Sequence, residues 1–238
     1  KKSEIIYFKN GFNQLIESIK NKLNGNIECS NKIVSIEKKK NYFLVHTDKK
    51  DNYICKKVYF TVPAYSLSSI KFIGLKLPNF DNVRYNPIDV IHLGFKRKNA
   101  NDKINGFGLL TRKVDNKNFL GVLFNSEIFP NVCSKENHLI TVLLGGDDQK
   151  DIINFDEKEI LENIKNEMKS IFNIKSFDLE KHYRWRKGIP SYSLDHTKLI
   201  NEINDFNKKE PNLYFLGNYI DGVSVGDCIL KSYNCINN

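Results

Sequence analysis

The residues best placed to do chemistry lie in one stretch, residues 213–230, LYFLGNYIDGVSVGDCIL. Leu213, Tyr214, Phe215 and Leu216 make a short apolar run of the kind that forms a buried parallel strand. Gly217 breaks it, and Gly222 and Gly226 leave the backbone bare on the way into a predicted helix. Val225, Ile229, Tyr233 and Ile236 recur on one face of that helix, at the spacing of a buried stripe. A strand, a glycine-rich turn and a helix N-terminus make a cradle for an anion, because first-turn N–H groups have no partner within the helix. On the glycines alone, a plain strand-to-helix turn is the simpler reading. Other catalytic plans find little support. There is no phosphate-binding GxxxxGK[ST] loop, no HExxH and no GxSxG, and His46, His92, His138, His182 and His196 are dispersed. A Cys/His nucleophile pair stays open on spacing, with no local pattern behind it.

The elements that must position this stretch follow from periodicity. Phe12, Leu15, Ile16, Ile19 and Leu23 recur at helical spacing, and Asn24-Gly25 supplies a stop. Strands are predicted at 33–36 and 42–47 across a lysine-rich turn, then over 53–62, ending at Pro63, which cannot donate to a ladder. After a segment with Pro78 and Pro87, strands at 90–95, 108–111, 119–124 and 139–144 are separated by turn-rich stretches at 98–106 and 114–118. That order predicts a largely antiparallel sheet. A helix follows from Asp156, a predicted N-cap with Glu159 at N3, and Ile160, Leu161, Ile164, Met168 and Ile171 form its buried stripe. A polar helix is predicted over 195–206, just before the opening stretch.

Composition narrows the class. With 238 residues, 40% hydrophobic and 27% charged, the chain can bury a real core. No apolar run approaches the roughly 18 to 20 residues of a membrane span, and no signal peptide opens it. The chain begins Lys1-Lys2 and its only methionine is Met168, so the expectation is that an N-terminal part precedes it. The net charge of +9 is spread over lysines scattered among asparagines, in short clusters at Lys38-Lys39-Lys40, Lys49-Lys50 and Lys56-Lys57. These read as solvated loops and strand edges rather than a nucleic-acid surface, with weak attraction to anionic lipid or an acidic substrate left open. Cys29, Cys55, Cys133, Cys228 and Cys235 form no CxxC pair and no metal-like spacing to histidine. No disulfide framework and no metal site is expected, and the thiols read as small buried hydrophobes in a reducing compartment.

The wording GNYIDGVSVGDCI resembles the C-terminal flavin-binding segment of the oxygen-dependent protoporphyrinogen oxidases, a branch of the flavin amine oxidase superfamily. The resemblance implies that this helix closes over the isoalloxazine end of FAD, with Gly217, Asn218, Gly222, Val223, Ser224 and Val225 at cofactor-contacting positions. A helix N-terminus, with about half a positive charge, suits the anionic reduced flavin. Residues 8–12 are similar to the family's phenylalanine-glycine entry, and the strand ending TVPA to its V-P-A strand. On that pattern Ile33 contacts adenine through its backbone. Trp185, the only tryptophan, stands in R-W-x-x-x-I-P-x-Y, similar to the family's segment beside the flavin ring; a core tryptophan is the default otherwise. No GxGxxG is present, the fingerprint that binds a dinucleotide pyrophosphate. The family carries it near the N-terminus, so the expectation is a C-terminal fragment that binds FAD poorly or not at all alone.

The middle of the chain carries a second resemblance, in GFGLL at 106–110, LGVLFNS at 120–126 with Phe129-Pro130, and TVLLGG at 141–146. It implies that Phe107, Leu110, Leu123 and Leu143 line a tetrapyrrole slot, which suits a flat apolar macrocycle. Ordinary sheet core is the alternative for each residue alone. The family's propionate-binding arginine falls upstream, and Arg112 reads as a solvated strand-end charge. Amine oxidases usually place a lysine near flavin N5 where Val90 stands, and a Gly-Glu where this chain has GNY; both differences count against amine oxidation.

The resemblance thus implies a two-domain α/β flavoprotein. An incomplete Rossmann-like FAD-binding domain would comprise residues 1–65 and 181–238, and a sheet-rich α+β substrate domain residues 66–180. The implied reaction is oxidation of protoporphyrinogen IX to protoporphyrin IX in haem biosynthesis. Successive hydrides pass to flavin N5, ring N–H protons are lost, and molecular oxygen reoxidises the flavin and yields hydrogen peroxide. No general base is identified. Coproporphyrinogen III oxidation, another flavin amine oxidase activity, and an inactive remnant acting as a binding module are the alternatives. No nucleic acid is expected. A cytoplasmic location is expected, with peripheral attachment to the inner face of the membrane and a homodimer left open.

Overall fold

A computed structural model describes residues 6–23, 25, 27–100, 104–129, 131–220 and 222–237. Lys1-Lys2, Asn24 of the helix stop, residues 101–103 of one expected turn and Pro130 lie outside the described residues. In chain order the elements are α1 (Asn13–Lys22), β1 (Ile33–Lys38), β2 (Phe43–Thr47), β3 (Asn52–Cys55), β4 (Val58–Phe60), α2 (Ala64–Leu67), β5 (Lys71–Ile73) and β6 (Arg84–Lys96). Then come β7 (Gly108–Leu110), β8 (Gly121–Leu123), α3 (Asn125–Ile128), β9 (Asn137–Gly145), α4 (Glu157–Phe172), β10 (Leu179–Ser191), α5 (His196–Lys209), β11 (Leu213–Phe215) and α6 (Val225–Asn237). The fold is mixed α/β, in two compact units: Lys1–Ile27 with Asn86–Gly188, and Glu28–Tyr85 with Ile189–Asn238.

The first unit is built on a five-stranded sheet of order β10-β6-β9-β8-β7. Period-2 alternation on β6 and β9 turns Ile91, Leu93, Phe95, Ile140, Val142 and Leu144 to one face. There they share a core with Ile160, Ile164, Met168 and Phe172 of α4. Asp156 caps α4 as its sequence predicts, its carboxylate accepting from the N–H groups of Lys158 and Glu159 at 2.9 and 3.2 Å. Leu161 and Ile171 pack only partly buried, so the expected stripe holds with Phe172 added.

The second unit holds a four-stranded sheet, β3-β2-β1-β5, and a two-stranded parallel sheet, β11-β4. Leu213, Tyr214 and Phe215 pair with Val58, Tyr59 and Phe60. Leu213, Phe215 and Phe60 are buried with Leu199, Ile203 and Phe206 of α5.

Several expectations need correction. The strand over 53–62 is two strands in different sheets, because the polar pair Lys56-Lys57 interrupts the run between β3 and β4. Residues 179–191 form one long strand, which the sequence pattern there does not predict. The apolar faces of α1 and α6 are not buried stripes: Phe12, Ile16, Ile19 and Leu23, and likewise Val225, Ile229, Tyr233 and Ile236, are all exposed. Periodicity marks a face fit to be covered; the Phe8 ring meets Phe12 at 5.3 Å, yet the named side chains of both helices stay between 46% and 67% exposed. The compact units also divide the chain elsewhere than at 65/66 and 180/181. Residues 66–85 stay with the second unit, where β5 pairs in parallel with β1, and residues 181–188 stay with the first, where β10 borders β6. The first 27 residues go with the first unit, where the Tyr7 ring lies 4.6 Å from that of Phe129.

Candidate functional site

In the second unit the strand-turn-helix device forms as the sequence predicts. Gly217 and Gly222 take φ values of +151° and +90°, which favour glycine. Between them the Tyr219 ring is fully buried and packs where a Gly217 side chain would stand. Tyr192, between β10 and α5, and His196, the first residue of α5, fasten the turn. The Tyr192 hydroxyl donates to Asn218 O at 2.5 Å, and His196 Nε2 lies 2.9 Å from Ile220 O. Burial pushes the Tyr192 hydroxyl up from its ordinary pKa, offset in part by a hydrogen bond with the Gly222 backbone.

The helix N-terminus is capped from within. Ser224 Oγ accepts the Asp227 N–H at 3.0 Å and donates to the Asp227 carboxylate at 2.6 Å. This reciprocal box commits the Asp227 N–H, and the Cys228 N–H goes to Ser224 O. The N–H groups of Val225 and Gly226 have no partner within the helix. The first anion at the cradle is thus the helix's own carboxylate, and the turn offers a bound group two N–H donors flanked by the exposed side chains of Val223 and Val225. Those donors, and glycine where a side chain at 222 would strike Asp227 Oδ2 at 2.5 Å, fit close approach by a flat cofactor edge. Ile33 opens β1 in the other sheet of this unit, 36% exposed.

In the first unit, the face of the large sheet opposite α4 gathers most of the predicted substrate residues. Leu110 pairs with Gly121, Gly121 with Leu143, and Leu143 with Val90, so one row crosses four strands. The next row runs Gly108, Leu123, Thr141 and His92. Directly paired residues share a face, so Leu110, Leu123 and Leu143 lie together with Val90. Leu110 is 86% exposed. On β10 the Tyr183 ring meets the His92 ring at 5.9 Å, and alternation puts Trp185 on the same face. Trp185 is 60% exposed, so the default of a core tryptophan fails. It lies in the first unit, whereas the other predicted cofactor residues lie in the second. Phe107 sits just before β7 between the positive-φ residues Gly106 and Gly108, exposed at the sheet's end rather than in either row.

Sequence reasoning missed the polar chain on this face. His92 Nδ1 lies 2.9 Å from Thr141 Oγ1, and the Thr141 hydroxyl donates to Asn125 Oδ1 at 2.6 Å. These residues are 49 and 16 positions apart, so only strand register unites them. Burial holds the His92 imidazole below its ordinary pKa. Arg112 is a solvated strand-end charge paired with Asp115 at 2.8 Å. A cleft of about 330 Å³ opens on the α4 side, lined by Leu144, Ile152, Phe155 and Ile160, and contains none of the predicted site residues. Among the described residues no helix is long and apolar enough to cross a membrane.

The family defined as flavin containing amine oxidoreductase matches residues 1–235. The chain belongs to that family. It is 30% identical to the protoporphyrinogen oxidase of Dictyostelium discoideum, over 99% of this chain and 51% of that one. It is 27% identical to the mitochondrial protoporphyrinogen oxidase of Nicotiana tabacum, over 74% and 37% of the two chains. The chain spans about half the length of the curated relatives it matches. Its fold resembles a solved Exiguobacterium structure provisionally named a protoporphyrinogen oxidase, with a TM-score of 0.81 at 14% identity over 96% of this chain and 51% of that one. It also resembles a reduced UDP-galactopyranose mutase, with a TM-score of 0.70 at 15% identity over 88% and 46%. The fold is therefore shared by oxidases and a mutase, and substrate identity must come from the site.

Proposed function

We propose that this chain carries part of an FAD-dependent oxidase that converts protoporphyrinogen IX to protoporphyrin IX with molecular oxygen as acceptor, in haem biosynthesis. The observation that carries this reading is the open sheet face of Leu110, Leu123, Leu143, Val90 and Trp185. A broad, flat, apolar wall with one polar chain suits a macrocycle better than a small charged amine. Val90 supports it further, being apolar where an amine oxidase carries lysine. The protoporphyrinogen oxidases among the relatives add support from sequence.

The turn at 217–226 would hold the flavin through the Val225 and Gly226 N–H groups, with Val223 and Val225 against its ring and Ile33 toward its adenine. FAD, when bound, supplies the two-electron acceptor for a reaction that this chain's side chains cannot perform alone. The chain's part is to orient the macrocycle on the sheet face and keep water from it. The remainder of the Rossmann-like domain, a cytoplasmic location, peripheral contact with the inner membrane face and a homodimer belong to the same proposal.

The test is to purify the product of the gene, supply FAD, protoporphyrinogen IX and oxygen, and follow porphyrin fluorescence above the non-enzymatic rate. A rise that requires both FAD and oxygen is expected. A flavin-loaded protein that gives no rise with protoporphyrinogen but does with coproporphyrinogen III replaces the substrate. One active only on amines overturns the reading.

A further inference from the structure

We propose that His92 Nε2 is the hydrogen-bond acceptor that the open sheet face offers to a pyrrolic N–H of the macrocycle, an assignment that rests on reading this face as the porphyrinogen site. The direction of the polar chain decides it. Asn125 Oδ1 accepts the Thr141 hydroxyl proton at 2.6 Å. With that proton committed, Thr141 Oγ1 meets His92 Nδ1 at 2.9 Å through a lone pair. Nδ1 must therefore carry the ring proton. A neutral imidazole has one such proton, so Nε2 is left as a bare acceptor.

Neutrality follows from the surroundings. Thr141 is 5% exposed, and burial of the imidazole disfavours its charged form. The groups facing His92 are Thr141 from β9, itself bonded to Asn125 of α3, and Tyr183 from β10. Alternation places the cations Lys181 and Lys187 on the same face of β10 as Tyr183. Nε2 has no hydrogen-bond partner among the described residues, and it is not sealed from solvent. An unpaired acceptor beside leucine, valine and tryptophan, with Tyr183 and Lys181 at its flank, suits a donor in the middle of an apolar plate. A porphyrinogen presents four pyrrolic N–H groups and the oxidised porphyrin two. Such an acceptor therefore favours substrate over product, and His92 positions the ring by its centre rather than by its propionates.

The test uses the gene's full product with ¹⁵N-labelled histidine. Long-range ¹H–¹⁵N correlation, with His92 assigned by its loss in His92→Phe, is expected to show the Nδ1–H tautomer at pH 7.5. Thr141→Val, nearly isosteric, is expected to release it to a mixture. Anaerobic protoporphyrinogen IX should move the Nε2 signal in the wild type, and His92→Phe should bind it about three- to tenfold more weakly, the size of one neutral hydrogen bond. An Nε2–H tautomer, or an Nε2 signal unmoved by bound porphyrinogen, overturns the assignment. If the wild type binds no porphyrinogen, the reading of the face fails and the ligand assignment with it. Because the tautomer is measured without ligand, that failure is distinguishable from a wrong proton position.

Discussion

Arg184 reaches from β10 to Asp89 on the neighbouring strand and holds its carboxylate from two sides, with Nε 3.0 Å from Oδ1 and Nη2 2.8 Å from Oδ2. Asp89 is fully buried on the α4 face, and the Arg184 side chain is only 6% exposed. Arg184 Nη1 donates to Phe155 O at 2.9 Å, so the guanidinium also fastens the entry to α4. His182 Nε2 stands 2.9 Å from the same carboxylate, in an orientation that makes no hydrogen bond. This pair ties the edge strand that carries Trp185 and Tyr183 to the centre of the sheet.

Removing one partner of a buried pair strands the other. Arg184→Leu is expected to destabilise the protein by about 3–5 kcal/mol. Arg184→Leu combined with Asp89→Leu should recover much of that loss, since no charge is then left buried. Urea midpoints of the two variants check it, and equal losses would refute the pairing argument.

The capping box at the start of α6 predicts a graded series. Ser224→Ala should cost about 1 kcal/mol, the usual worth of an N-cap. Gly222→Ala should cost more, because it adds strain at φ +90° and drives a side chain into Asp227. If the turn holds the flavin, Gly222→Ala also loses FAD on gel filtration while Ser224→Ala retains most of it.

Stability should fall on mild acidification. His92 and His138 are both held below the ordinary value of 6.5 by burial, with Arg97 adding to the effect at His138. As the pH falls below 6.5, the unfolded chain takes up protons that the folded protein refuses. The stability these neutral side chains contribute is thus complete above 6.5 and lost as pH drops through their folded values. Urea midpoints measured from pH 7.5 to 5 should decrease, and less steeply in His138→Gln.

The two faces of β9 and its neighbours should respond oppositely. Leu110→Asp, on the open face, should leave stability within about 0.5 kcal/mol. If this face takes the macrocycle, it should raise the KM for porphyrinogen about tenfold or more, through lost apolar contact. Leu144→Ala, on the α4 face, should cost about 2–5 kcal/mol and leave KM nearly unchanged in whatever protein remains folded. Denaturation and steady-state kinetics on the same preparations separate the two.

What was legible in the sequence is local. Apolar period and turn residues marked the helix behind Asp156, four of the five strands of the large sheet and the strand-glycine-helix turn at 213–226, because backbone preference and capping act within a few residues. The rows Leu110–Gly121–Leu143–Val90 and Leu123–Thr141–His92 were decided only by strand register, since which residues meet across a sheet depends on pairings tens of positions apart. The same cause hid the buried Asp89–Arg184 pair and the proton order of the Asn125–Thr141–His92 chain. It also hid the fate of the α1 and α6 stripes: spacing says that a face is apolar, and only the packed structure says what lies against it.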